Sequence, residues 1–276
     1  MSGALDPLYV AARRVLLDAL AALGQHTDAM VLVGAQAVYI HAGEADVAVA
    51  PFTTDGDLAI DPRRLAPTPL LEVALHQAHF RLARGKVGIW ATSIDVGGVA
   101  RTVTVDLLVP ESLSGPGRRA ARIPPHATDV ARKASGLEAA LVDCGQLTLH
   151  SLDPRDHRQA ELKVAGPAAL IVAKTHKVLD RAESNDRLND KDALDVYRLL
   201  RVVPTAELAS RIRTLLTHDV SRAVTRRALT ELPRLFGTAR SVGCQMAARA
   251  AGASGNSDTV SASLAVLAQD LVELVG

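Results

Sequence analysis

Two short apolar runs between residues 30 and 60 carry unusual flanks. Val31-Leu32-Val33 leads straight into Gly34-Ala35, and Leu58-Ala59-Ile60 follows directly on Thr53-Thr54-Asp55-Gly56-Asp57. The first run reads as a buried strand, a tight glycine turn and a short helix over 35–41. The second reads as a strand that opens on two carboxylates. Alternate strand residues share a face and lie about 7 Å apart, so Asp55 and Asp57 point to one place. Two carboxylates beside a glycine turn are a standard way to hold a divalent ion on a phosphate chain.

A third carboxylate lies in a later strand-like run, Val103-Thr104-Val105-Asp106-Leu107-Leu108. A carboxylate among apolar residues is costly unless it is paired or bound to metal. Two readings stay open for Asp106: it caps the strand end or pairs with an arginine, or it is a third metal ligand on a neighbouring strand. Taken with Gly34, Asp55 and Asp57, it favours a metal–nucleotide site. A calcium loop of the EF-hand kind is excluded by spacing. Counting from Asp55, its fifth and twelfth positions hold Ala59 and Ala66, which carry no ligand oxygen in the side chain.

Nearly half of the chain (48%) is hydrophobic and only 3% aromatic, so the core is built from Ala, Leu and Val, which suits helices on a small sheet. Helical spacing covers 6–24 and 69–79, and strands are expected at 30–33, 58–60, 87–91, 100–109, 141–150 and 159–165. The Gly/Pro/Arg-rich stretch 114–136 reads as a mobile loop. From Pro167 onward the pattern is helical, at about 167–183, 189–202, 204–216, 219–235, 238–251 and 258–275. The fold class is therefore α+β, with a mixed α/β domain over 1–165 and a helical domain over 166–276. No run of eighteen apolar residues suggests a membrane span, the first residues lack a basic signal region, and Cys144 and Cys244 are isolated. These features point to a cytoplasmic protein.

The net charge of +1 gives no global attraction to nucleic acid. Locally, Arg118, Arg119, Arg122, Arg132 and Lys133 face only Asp129. This segment is either a solvated loop or a clamp for an anionic polymer, and without interleaved aromatics it does not stack on bases. On the helix over 167–183, Lys174, Lys177 and Arg181 fall along one face. They form either a solvated stripe or a cleft edge where a lysine neutralises triphosphate charge. Asp192 and Asp195, three residues apart on the next helix, are placed to meet Lys174 or Arg181. His41 and His176 read as packing residues, and none of the nine histidines has metal-ligand spacing.

With these residues assembled, the chain resembles nucleotidyltransferase toxins of the AbiEii/MenT type, within the DNA polymerase β-like superfamily. The superfamily pattern is an apolar strand, Gly-Gly or Gly-Ser, a spacer and Asp-x-Asp, met here by Gly34-Ala35 and Asp55-Gly56-Asp57. Thr53 matches the hydroxyl residue before the acids, and Lys174 with Arg181 matches a Lys-x(6)-Arg helix. Lys191-Asp192-Ala193-Leu194-Asp195-Val196 loosely matches a later Arg-Asp-x-x-Asp-Leu stretch. Ala35, Gly56 and Pro51 depart from the usual residues. The resemblance covers about residues 30–200.

The resemblance implies Mg²⁺-dependent (or Mn²⁺-dependent) transfer of a nucleoside monophosphate from an NTP to an acceptor hydroxyl, in characterised toxins the 3′ end of tRNA. Asp55 and Asp57 would ligate the ions, and Asp106 would complete the site or act as base. Gly34, Ala35, Thr53, Thr54, Lys174, Lys177 and Arg181 would contact the nucleotide, Asp192 would position it or Lys174, and Arg118, Arg119 and Arg122 would meet RNA. A cognate antitoxin is the implied partner. A small-molecule or protein acceptor, and a catalytically degenerate binding protein, are the competing expectations.

Overall fold

Asp6 starts the first helix: its carboxylate accepts the backbone N–H of Leu8 at 2.7 Å, ahead of α1 (Pro7–Ala22), which has proline in its first turn. The computed structural model describes residues 5–43, 55–184, 190–252 and 257–276. Thr53 and Thr54 lie outside these described residues. After α1 come β1 (Met30–Val33), α2 (Gly34–Ala42), β2 (Asp55–Ile60), α3 (Leu71–Gln77), β3 (Arg81–Leu82), β4 (Ile89–Val96), β5 (Val99–Pro110), β6 (Arg132–Ala134), β7 (Cys144–His150) and β8 (Gln159–Ala165). The helices α4 (Pro167–Ser184), α5 (Lys191–Val202), α6 (Thr205–Thr217), α7 (Asp219–Phe236), α8 (Val242–Ala251) and α9 (Ser257–Val275) complete the chain. The architecture is α+β.

The strands form one mixed sheet in the order β3-β4-β5-β2-β1-β8-β7, with β6 also pairing β5. β1 runs antiparallel to β2, while β2 and β5 are parallel. Gly56, Leu58, Val105 and Leu107 therefore share the face opposite to Asp55, Asp57 and Asp106. Helix α1 packs on β2, β4 and β5 with Val15, Leu16, Ala19 and Leu20 buried. A β-carbon at Gly56 would lie 3.1 Å from Leu16 Cδ1, so close helix–sheet packing accounts for the glycine between the two acids.

Three local features differ from the sequence expectation. β4 and β5 form a long hairpin closed by Gly97-Gly98, both at positive φ (64° and 83°), so the strand continues where a gap was expected after residue 91. The 114–136 stretch is not a free loop. Its end forms β6, parallel to β5, and Ala121, Arg122 and Lys133 make backbone hydrogen bonds to Ala131, Ser114 and Arg119. The expected strand from 141 begins at Cys144, because residues 137–141 close into a 3₁₀ turn.

The chain divides into two compact units, and not at a single cut near 165. One comprises 1–36, 52–134 and 145–164; the other comprises 37–51, 135–144 and 165–276. In the second unit α5 packs on α4 and α8, and α9 packs on α6 and α8. Leu194, Leu199, Leu208, Ile212, Leu232, Phe236 and Leu264 form its core. Asp143 caps this bundle's first helix, accepting Ala169 N–H at 3.0 Å and the Arg211 guanidinium at 2.8 Å. Both cysteines are free thiols, and no described helix is long and apolar enough to cross a membrane.

Candidate functional site

Register brings the first three candidate acids together. Asp57 lies directly opposite Asp106 across the parallel β2–β5 pair, and Asp55 opposite Thr104, so all three carboxylates occupy one face of the sheet. Val33 is paired with Asp57 at the end of β1, which sets the Gly34 turn beside that carboxylate. Gly34 takes φ +71°, and a β-carbon built on it would lie 2.7 Å from Asp57 Cγ and overlap Oδ2. The glycine is required twice, by its backbone conformation and by the acid resting on it. Ala35 is buried.

Two residues that the sequence reading passed over hold this edge. Arg13 on α1 donates through Nε to Gln36 Oε1 at 3.0 Å, and Gln36 Nε2 donates to the Asp55 carbonyl at 3.0 Å. Arg13 also donates to the His150 carbonyl at 3.0 Å. This polar chain fixes where β2 begins. A buried arginine in an amphipathic helix and a glutamine two residues after the glycine were its only traces in the sequence.

Asp57 and Asp106 are 7% and 5% exposed. Burial, then the neighbouring Asp57 charge, pushes the Asp106 carboxyl up to about 6 against the opposing pull of Arg132, with a further push from Asp55. Arg132 on β6 donates through Nη2 to Asp106 Oδ2 at 2.6 Å. Of the two readings open for Asp106, its pairing with an arginine is thus directly observed. Asp57 and Asp106 face each other at one place on the sheet, and hard carboxylate oxygens suit Mg²⁺ or Mn²⁺. In charge and donor type the residues fit a divalent cation. No group of three His, Cys, Asp or Glu side chains among the described residues converges on a metal position, and Asp106 is hydrogen-bonded to Arg132.

The second set of candidates lies in the helical unit. Lys174 Nζ donates to Asp192 Oδ1 at 2.6 Å and to Asp195 Oδ2 at 2.7 Å, and Arg181 pairs with Asp192. Arg198 Nη1 donates to Asp195 Oδ1 at 2.8 Å and lies 5.2 Å from the Tyr39 ring centroid. Burial, followed by the Asp195 charge, raises the Tyr39 hydroxyl above its ordinary range. Lys174 is only 3% exposed, so its ammonium is committed to two carboxylates inside the protein. The expected meeting of Asp192 and Asp195 with Lys174 and Arg181 is what the helices form. Lys177 is half-buried on the same helix. His41 and His176 each hydrogen-bond a backbone carbonyl, of Ala165 and Val224 respectively, as packing residues do.

Arg118, Arg119 and Arg122 are exposed in the sheet unit. Lys133, in contrast, reaches back to the Gly115 carbonyl. No family model, no curated protein and no solved structure matches the chain.

Proposed function

We propose that the chain is a metal-dependent nucleotidyltransferase that moves a nucleoside monophosphate from an NTP to the 3′ end of tRNA, as a toxin with a cognate antitoxin. The observation that carries this reading is the facing pair Asp57 and Asp106 with Asp55 on the same sheet face, set against the bare backbone of Gly34. When bound, Mg²⁺ would offset triphosphate charge and make the α-phosphorus more electrophilic. Asp55 and Asp57 would hold the ion, and their rigid strand positions would orient the nucleotide on it. Asp106 would complete the site or accept the proton of the attacking hydroxyl. The Gly34 turn leaves room for the Asp57 carboxylate to rest on the backbone, and the first N–H groups of α2 that follow it would offer donors to a phosphate. Exposed Arg118, Arg119 and Arg122 suit an anionic acceptor better than a cationic aminoglycoside.

Incubation with each labelled NTP, Mg²⁺ and total tRNA should label RNA, and Asp57→Ala should abolish the signal. Absence of labelling with all four NTPs and a broad RNA panel sinks the RNA claim. A second reading, a non-catalytic binding protein of the same fold, is favoured by the Arg132–Asp106 ion pair. Calorimetry separates the two: the catalytic reading requires Mg²⁺-dependent NTP binding, and the binding-protein reading requires none.

A further inference from the structure

Arg132 occupies an unusual position on the carboxylate face. Its backbone is fixed on both sides: β6 pairs Arg132 with Leu108 on β5, and the flanking Ala131 carbonyl and Lys133 N–H bond Ala121 and Arg119. Leu108 and Asp106 share a face, so the Arg132 side chain runs along the strand to the carboxylate. The head is held far less firmly than the stem. It meets Asp106 through Nη2, while its Nε is buried with no hydrogen-bond partner, so the bidentate fork that arginine makes with a carboxylate is not formed. Its side chain is one-third exposed (33%), which leaves the guanidinium a route to water.

We propose that Arg132 is a resident counter-ion of this face: its guanidinium and a divalent cation compete for the Asp106 carboxylate, so Arg132 sets how tightly the face holds metal. The inference rests on the metal-dependent reading above. One monodentate contact offsets part of the charge on the facing Asp57 and Asp106 carboxylates and occupies Asp106 until a stronger cation arrives. Arg132 is then a positioning residue, acting through Asp106. The sign of its effect is diagnostic. A side chain that merely supports a metal ligand costs about 10–100-fold in metal affinity when removed, whereas a competing cation increases affinity when removed.

The test uses Mn²⁺ alone as the probe, with the full chain, by calorimetry and by electron paramagnetic resonance of the free ion. Arg132→Met should bind Mn²⁺ about tenfold more tightly than the unsubstituted protein. Arg132→Lys should return affinity to within about threefold, because the contact to be restored is a single charged N–H···O bond and not a bidentate fork. Lys133→Met, which removes a neighbouring charge that does not touch Asp106, should leave affinity unchanged. Arg132→Gln carries the same expectation as Met should the latter fail to fold, as judged by circular dichroism. Unchanged or weaker binding in the folded Arg132 variants, with binding to the unsubstituted protein lost in Asp57→Asn, overturns this inference alone. No Mn²⁺ binding to any form overturns the inference and the metal reading together.

Discussion

The carboxylate of Asp57 rests on the α-carbon of Gly34, in a space that any side chain at residue 34 would fill. Gly34→Ala meets a positive φ and a direct overlap at once. We expect a loss of about 2–4 kcal/mol in urea unfolding. In an Asp57→Gly background the overlap disappears and only the backbone penalty remains, so the two changes should couple by more than about 1 kcal/mol. Additive losses would show that the acid does not rest on the turn.

The Lys174 cluster predicts a stability effect of a different kind. Lys174→Met leaves the buried Asp192 and Asp195 facing each other with Arg181 and Arg198 as their remaining partners. Breaking a buried pair from one side costs about 3–5 kcal/mol. Arg227→Met, at an exposed position on α7, should cost less than about 1 kcal/mol. Equal melting temperatures for the two variants would contradict a structural role for Lys174. Loss of activity in Lys174→Met is informative only beside this measurement.

Asp106 predicts how stability varies with pH in the metal-free protein. Its carboxyl is raised from 3.8 to about 6 in the folded state, so the folded protein holds that proton more tightly than the unfolded chain. Stability from this group is present below about pH 4 and is lost as pH rises to about 6. The loss amounts to at most about 3 kcal/mol. Asp106→Asn should remove that slope and be the more stable form at pH 7 in chelator, since Arg132 can turn to water. Thermal melts of both proteins from pH 4 to 7 check this, and parallel curves would refute it.

The exposed arginines predict a salt dependence. Replacing Arg118, Arg119 and Arg122 together with glutamine should reduce the slope of log affinity against log salt for tRNA by about 2. Filter binding across a salt series measures it. An unchanged slope would place the RNA contact elsewhere.

Much of the architecture was legible in the sequence because it depends on local pattern. The Val31-Leu32-Val33-Gly34 turn and the acid-led strand at Asp55 declared themselves, as did the C-terminal helices, since apolar periodicity and glycine punctuation act within a few residues. The Gly97-Gly98 hairpin was equally visible in principle, but the residues before it are polar and half-exposed, so no apolar run advertised the strand. The 114–136 stretch misled for the opposite reason. Its composition is that of a loop, yet backbone hydrogen bonds to segments brought near by the sheet give it order that composition cannot report.

For the candidate site, the chain alone determined which residue types were present and that Asp55 and Asp57 share a face, because strand alternation is a property of the backbone. Helical spacing likewise fixed Asp192 and Asp195 on one side of α5. Tertiary structure decided the rest. Strand order set Asp106 opposite Asp57, β6 brought Arg132 to Asp106 from 26 residues away in sequence, and helix packing committed Lys174 to two buried carboxylates. These pairings rest on contacts between residues far apart along the chain, and a local pattern names the charges without stating which of them will meet.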